Sequence, residues 1–330
     1  MRQIQYLSPT SISKWEESQE EFYLQYLADD RPPRFPQTQP MSIGSAFDAY
    51  VKSYLHEGLF GKGQDPKYGF EALFEAQVET QNRDWARQHG KYAFDCYNQA
   101  GSLIGLMTEL QRADGDPRFE FEVRGAVHGY REGNTATIAN VTFLGKPDVT
   151  FTNSAGAHVI LDFKVNGYCS IASPMKGYLR LRSPGNTHHG MHKAATPMMV
   201  HGMEINVGHR LEDLNNDWAR QLAIYAWLCG EPVGSEFIVA IDQLACNSKK
   251  SMLPQIRIAE HRLLISREYQ QRIFDKGCEI WDIVHSDHIF RDMTLEESQD
   301  RCQYLDSYNQ VLKGEGTSED NWFASVCRGV

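Results

Sequence analysis

The chain has 330 residues, 41% hydrophobic and 23% charged, an ordinary balance for a globular protein with room for a sizeable core. A net charge of −10 and a pI near 5.6 exclude a protein that coats nucleic acid by bulk attraction, so any nucleic-acid site must be local. No apolar run reaches the roughly 18 to 20 residues needed to span a bilayer and the N-terminus has no signal-peptide hydrophobic region. The expectation is therefore a cytoplasmic protein of a bacterium or phage-infected host, without a membrane partner. Seven scattered cysteines without a C-x-x-C pair read as reduced thiols.

In chain order, Ser11 is expected to cap a helix whose apolar face runs from Trp15 through Phe22, Tyr23 and Tyr26 to Leu27. The proline-rich stretch 29–40 stops it. A second helix is expected from Ile43 to about Leu55, and a third helical region from about Tyr68 to Leu110, rich in Ala, Gln and Glu. From Phe119 the pattern turns to β: 120–127, 135–143, 145–153 and 157–165 are expected strands. The stretch 166–208 reads as a polar, Gly/Pro-punctuated arm. A helix over 214–229, strands over 237–241 and 255–264, and a Ser266-capped helix to His285 follow. The predicted division is a helical region 1–118, a core 119–265 carrying the arm, and a C-terminal helical region 266–330.

The chemistry concentrates in Gly145-Lys146-Pro147-Asp148 and Asp162-Phe163-Lys164, with thirteen residues between the two aspartates. Strand alternation puts Asp162 and Lys164 on one face. If Ser154-Ala155-Gly156 is a three-residue hairpin loop with Gly156 left-handed, Asn153 pairs with Ala157 and Asp148 lies opposite Asp162. A two- or four-residue loop would shift the register by one and send Asp148 to the other face. Two carboxylates roughly 4.5 to 5.5 Å apart at Cβ repel each other unless a proton or cation sits between them. Oxygen-only donors select a hard ion, Mg²⁺ or Mn²⁺. Lys164 beside it suits holding an attacking water or stabilising developing phosphorane-like charge.

These residues resemble the RecB-like, phage-exonuclease branch of the PD-(D/E)XK nucleases. Pro147-Asp148 and Asp162-Phe163-Lys164 match its signature. Leu7 to Ile12 leading to Phe22 to Tyr26 looks like its N-terminal helix, Gly44 to Asp48 like its Gly-x-x-x-His element, and Gln221 to Tyr225 like its Gln-x-x-x-Tyr helix. The resemblance covers about residues 7 to 230. It implies an α/β fold with a mixed central sheet flanked by helices, a restriction-endonuclease-like core, and an N-terminal helical region. It also implies metal-dependent hydrolysis of DNA phosphodiesters, probed most naturally as an exonuclease, with Asp148, Asp162, Lys164, Gln221 and Tyr225 catalytic. Asp48 stands where the family has histidine and is expected as a third carboxylate ligand or a weaker substitute for the histidine, with one or two ions. Glu122, on a strand ahead of Asp148, is a further candidate for the metal shell. A serine at position 18, where cluster-bearing relatives have cysteine, argues against an iron–sulfur cluster.

From Phe163 to Met203 there is no Asp or Glu, whereas Lys176, Arg180, Arg182 and Lys193 are basic and Tyr178 is aromatic. In an acidic chain this local reversal of sign suits a groove that tracks phosphates, so these five residues are the expected DNA contacts. A recombination or replication protein is the partner class that such a nuclease implies. The competing reading is a nuclease-like protein that binds nucleic acid or a recombination partner without cutting.

Overall fold

The computed structural model describes residues 2–29, 36–119, 122–131, 137–166, 197–200, 203–206, 210–247, 255–286 and scattered positions from 288 to 303. The helices are α1 (Pro9–Glu17), α2 (Gln19–Phe22), α3 (Gln39–Phe60), α4 (Phe70–Gln77), α5 (Arg83–Gln99), α6 (Ser102–Gln111), α7 (Leu211–Leu214), α8 (Asn216–Leu228) and α9 (Arg267–Val284). The strands are β1 (Arg118–Phe119), β2 (Val123–Arg131), β3 (Thr137–Gly145), β4 (Val149–Thr152), β5 (His158–Asn166), β6 (Pro197–Val200), β7 (Met203–Asn206), β8 (Ile238–Asn247) and β9 (Gln255–Leu263). Among the described residues no helix is long and apolar enough to cross a membrane.

Five strands form a mixed central sheet in the order β1-β4-β5-β8-β9, with only β5 and β8 parallel. A parallel neighbour requires a crossover, and α8 lies in the connection from β5 to β8. One face of the sheet, through Ile160, Val239, Ile241 and Leu263, packs on α1, α8, α9 and the β2–β3 hairpin. The other, through Val149, Phe151, Val159, Leu161, Phe163, Ala240 and Leu244, packs on α3, α5 and α6. Burial on both faces is why Val159-Ile160-Leu161 is a continuous apolar run. Buried polar struts fix both layers. Tyr97 of α5 hydrogen-bonds Asp242 of β8, and Arg220 of α8, 2% exposed, pairs with Glu16 of α1 and Asp217.

Three expectations are corrected. Ser8, not Ser11, caps α1: Pro9 takes the first helical position, where its missing N–H is no loss. Ser11 sits three residues into the helix and returns a bond to the cap, with Ser11 N to Ser8 Oγ at 3.1 Å and Ser8 N to Ser11 Oγ at 2.8 Å. The helix expected to run through Leu27 breaks at Ser18 and ends in a π turn, Tyr23–Leu27, which buries Tyr23, Leu24 and Leu27. Within the arm, β6 and β7 pair as an antiparallel hairpin whose Met, Val and Ile content is masked by the surrounding Gly, His and Pro.

Candidate metal and nucleic-acid site

The hairpin between β4 and β5 has the three-residue loop expected of it. Asn153 N donates to Ala157 O at 2.9 Å, and Asn153 Oδ1 accepts from Ala155 N at 3.0 Å and Ala157 N at 2.9 Å. Gly156 has φ +82°, a conformation that costs a residue with Cβ but not glycine. The pairing Thr152↔His158 to Val149↔Leu161, continued by one step, sets Asp148 across from Asp162. Asp148 stands just before β4, and its Oδ2 accepts from Phe163 N at 2.9 Å, filling a place where the backbone ladder has ended.

Asp162 and Lys164 face α8. Gln221 Nε2 donates to Asp162 Oδ1 at 3.1 Å and to Tyr225 Oη at 3.1 Å, and Gln221 Oε1 accepts from Lys164 Nζ at 2.9 Å. One helical turn separates Gln221 from Tyr225, so both reach the same row of the sheet. Gly145 allows α8 this close: a Cβ there would lie 2.6 Å from Tyr225 Cδ1 and 2.8 Å from Leu228 Cδ1. The Lys164 ammonium also touches Asp162 Oδ2 and lies 5.6 Å from the centre of the Trp218 ring. This contact is a buried ion pair that favours the ionised form of Asp162.

The opposite side of the cluster comes from α3. Asp48 and Lys52, four apart, share a helix face, and Lys52 Nζ reaches Asp48 Oδ2 at 2.6 Å and Asp148 Oδ1 at 2.9 Å. Gln77 Nε2 of α4 donates to Asp48 Oδ2 at 3.0 Å. Asp48 thus joins the cluster through a lysine. Neither Lys52 nor Gln77 stands out in the sequence; the available signal is the Asp-x-x-x-Lys spacing on α3, which is common on solvated helices.

The two facing carboxylates are electrostatically unequal. Burial pushes Asp162 up to about 6, with Lys164 pulling it down and the Asp148 charge adding to the rise. Burial also opposes ionisation of Asp148, but Lys52, the Phe163 amide and Lys164 outweigh it and hold this carboxyl below its ordinary value. Tyr225 is pushed well up by burial and by the Asp162 charge, so it stays a neutral phenol.

Glu122 is not part of this group. Its side chain is 62% exposed just outside β2 and pairs with Arg124, at 3.8 Å. Lys176, Tyr178, Arg180, Arg182 and Lys193 lie outside the described residues. Among the described residues no three His, Cys, Asp or Glu side chains converge on one point as a ready-made metal cage, because ammonium groups stand among the carboxylates. The donor set nevertheless fits a hard divalent ion. Asp148 and Asp162 face each other across the hairpin, and three carboxylates against two ammoniums leave one uncompensated negative charge when all are ionised.

No family model and no curated protein matches the chain. Among solved structures, it is similar to a protein from Eubacterium rectale provisionally named an exonuclease, at 12% identity and a TM-score of 0.33, over 89% of this chain and 92% of that one. It is also similar to SSO0001, at 12% identity and a TM-score of 0.24, over 82% of this chain and 84% of that one. Superpositions this loose carry no argument about activity.

Proposed function

We propose that the chain is a divalent-metal-dependent nuclease that hydrolyses DNA phosphodiester bonds, built on the PD-(D/E)XK plan. The observation that supports this reading most is the single row Asp148, Asp162, Lys164, Gln221 and Tyr225, assembled from two strands and a distant helix at 2.9 to 3.1 Å spacing between side chains of β5 and α8. Asp148 and Asp162 would hold Mg²⁺ or Mn²⁺, which when bound supplies polarisation of the phosphoryl oxygen and charge neutralisation. Gln221 orients Asp162 through Oδ1 and Lys164 through its own Oε1. Lys164 Nζ, so held, is the group that orients the water nucleophile and stabilises negative charge on the phosphoryl oxygens. Tyr225, kept protonated, fixes the Gln221 amide. The acid-free segment continues past the end of β5 at Asn166, two residues after Lys164, and is the proposed path of the DNA backbone.

The experiment is cleavage of 5′- and 3′-labelled single- and double-stranded DNA with Mg²⁺, Mn²⁺ or EDTA. The expected result is cleavage that EDTA abolishes and that Asp162→Asn or Asp148→Asn removes. One observation favours the rival reading of a non-cutting nucleic-acid-binding protein: Lys52 already pairs with Asp148 and Asp48. DNA retention without any metal-stimulated cleavage would establish that rival.

A further inference from the structure

We infer that Lys52 is a positioning residue that acts as an internal cation: it holds Asp48 and Asp148 together in the metal-free protein and competes with a divalent ion for Asp148. This rests on the metal-dependent reading above and adds a residue and a stoichiometry to it: one ion at Asp148 and Asp162, with an ammonium in place of a second ion between Asp148 and Asp48.

The geometry carries the inference. The Lys52 side chain is 1% exposed, whereas the carboxylates it joins are more open, Asp48 at 13% and Asp148 at 20%. A lysine is almost never buried without a partner, and among the described residues this one meets two carboxylates, one of them 96 residues away in sequence. The ammonium therefore reaches both carboxylates from their more buried side. Asp48 Oδ2 is engaged by both Lys52 and Gln77, which suits an anchor for the ammonium. A divalent ion on Asp148 would feel a fixed positive charge one carboxylate away. At the effective dielectric of a partly buried site, that repulsion is large enough to set affinity.

The test is calorimetric titration of Mn²⁺ into the full chain, wild type against Lys52→Met and against Lys52→Met/Asp48→Asn. The double variant removes one charge of each sign, so it keeps the charge balance of the cluster and stays measurable if the single variant folds poorly. Both variants are expected to bind Mn²⁺ about tenfold or more tightly than wild type, about 1.4 kcal/mol by conversion. In melts, saturating Mn²⁺ should raise the Tm of Lys52→Met by more than it raises that of wild type, since ligand stabilisation follows affinity. A lysine that is structural alone would lower the Tm of Lys52→Met equally with and without Mn²⁺. Equal or weaker Mn²⁺ binding in both variants overturns the inference while leaving the metal site standing. Absence of Mn²⁺ binding in all three proteins overturns the metal-dependent reading and the inference with it.

Discussion

Asp162→Asn and Asp148→Asn, one substitution on each side of the same hairpin, should move the stability of the metal-free protein in opposite directions. The Asp162 carboxyl is raised from 3.8 to about 6 by burial, opposed by Lys164 and reinforced by Asp148. Between those two values the folded state keeps a proton that the unfolded chain has released, so unfolding free energy falls as pH rises through that window and is level above it. At about 1.4 kcal/mol per pH unit, the penalty at pH 7 is about 3 kcal/mol. The uncharged amide of Asn removes it. In EDTA, Asp162→Asn should match wild type near pH 4 and exceed it by up to about 3 kcal/mol at pH 7 to 8, read from urea unfolding. Asp148 is the reverse case: burial opposes its charge, but Lys52, the Phe163 amide and Lys164 prevail and hold its pKa down. Its stabilisation is present above the ordinary carboxylate value and lost as pH falls below it, so Asp148→Asn should destabilise at pH 7 and converge on wild type in acid. Saturating Mn²⁺ should invert the first result, because wild type gains binding free energy that Asp162→Asn cannot. Equal destabilisation by the two variants at pH 7 in EDTA would refute the electrostatic asymmetry.

Other outcomes follow from the same geometry. Lys164→Met should lower the cleavage rate by about 10² or more while Mn²⁺ binding is kept or tightened, since the lysine acts on water and developing charge and its ammonium lies against Asp162; calorimetry beside single-turnover cleavage separates the two. Gly145→Ala drives a Cβ into Tyr225 and Leu228 and should cost about 1 to 3 kcal/mol in urea melts, with a further loss of cleavage as Gln221 shifts. Neutralising Lys176, Arg180 and Arg182 together should lower the slope of log DNA affinity against log salt by about 0.7 to 0.9 for each phosphate that no longer meets a cation, with Mn²⁺ binding unchanged. If neutralising Lys249, Lys250 and Arg257 changed that slope equally, the arm would hold no privileged DNA path.

Strand alternation put Asp148 and Asp162 face to face on condition of a three-residue loop, and the structure supplies that loop, because hairpin register is set locally by loop length and by a glycine that can turn left-handed. The i, i+4 spacing likewise placed Gln221 and Tyr225 on one face of α8, and the passage from N-terminal helices to a β-rich core was legible from the change of periodicity near Phe119, whereas the mixed sheet was what the family resemblance implied. Local rules stopped there. The choice of Ser8 over Ser11 as cap turned on Pro9, and the β6–β7 hairpin lay under an irregular composition. The unequal charge states of the two aspartates were invisible to spacing, since the strands alone make them equivalent. The inequality comes from α3, which crosses one face of the sheet and brings Lys52 to Asp148, while α8 on the other face brings Gln221 to Asp162. Glu122, as plausible as Asp48 in sequence, ends 62% exposed because its segment leads into a separate two-stranded sheet. A carboxylate's proton affinity depends on burial and on charges within a few ångströms, and those are supplied by residues about a hundred positions apart in the chain, which only the packing of α3 against the sheet brings together.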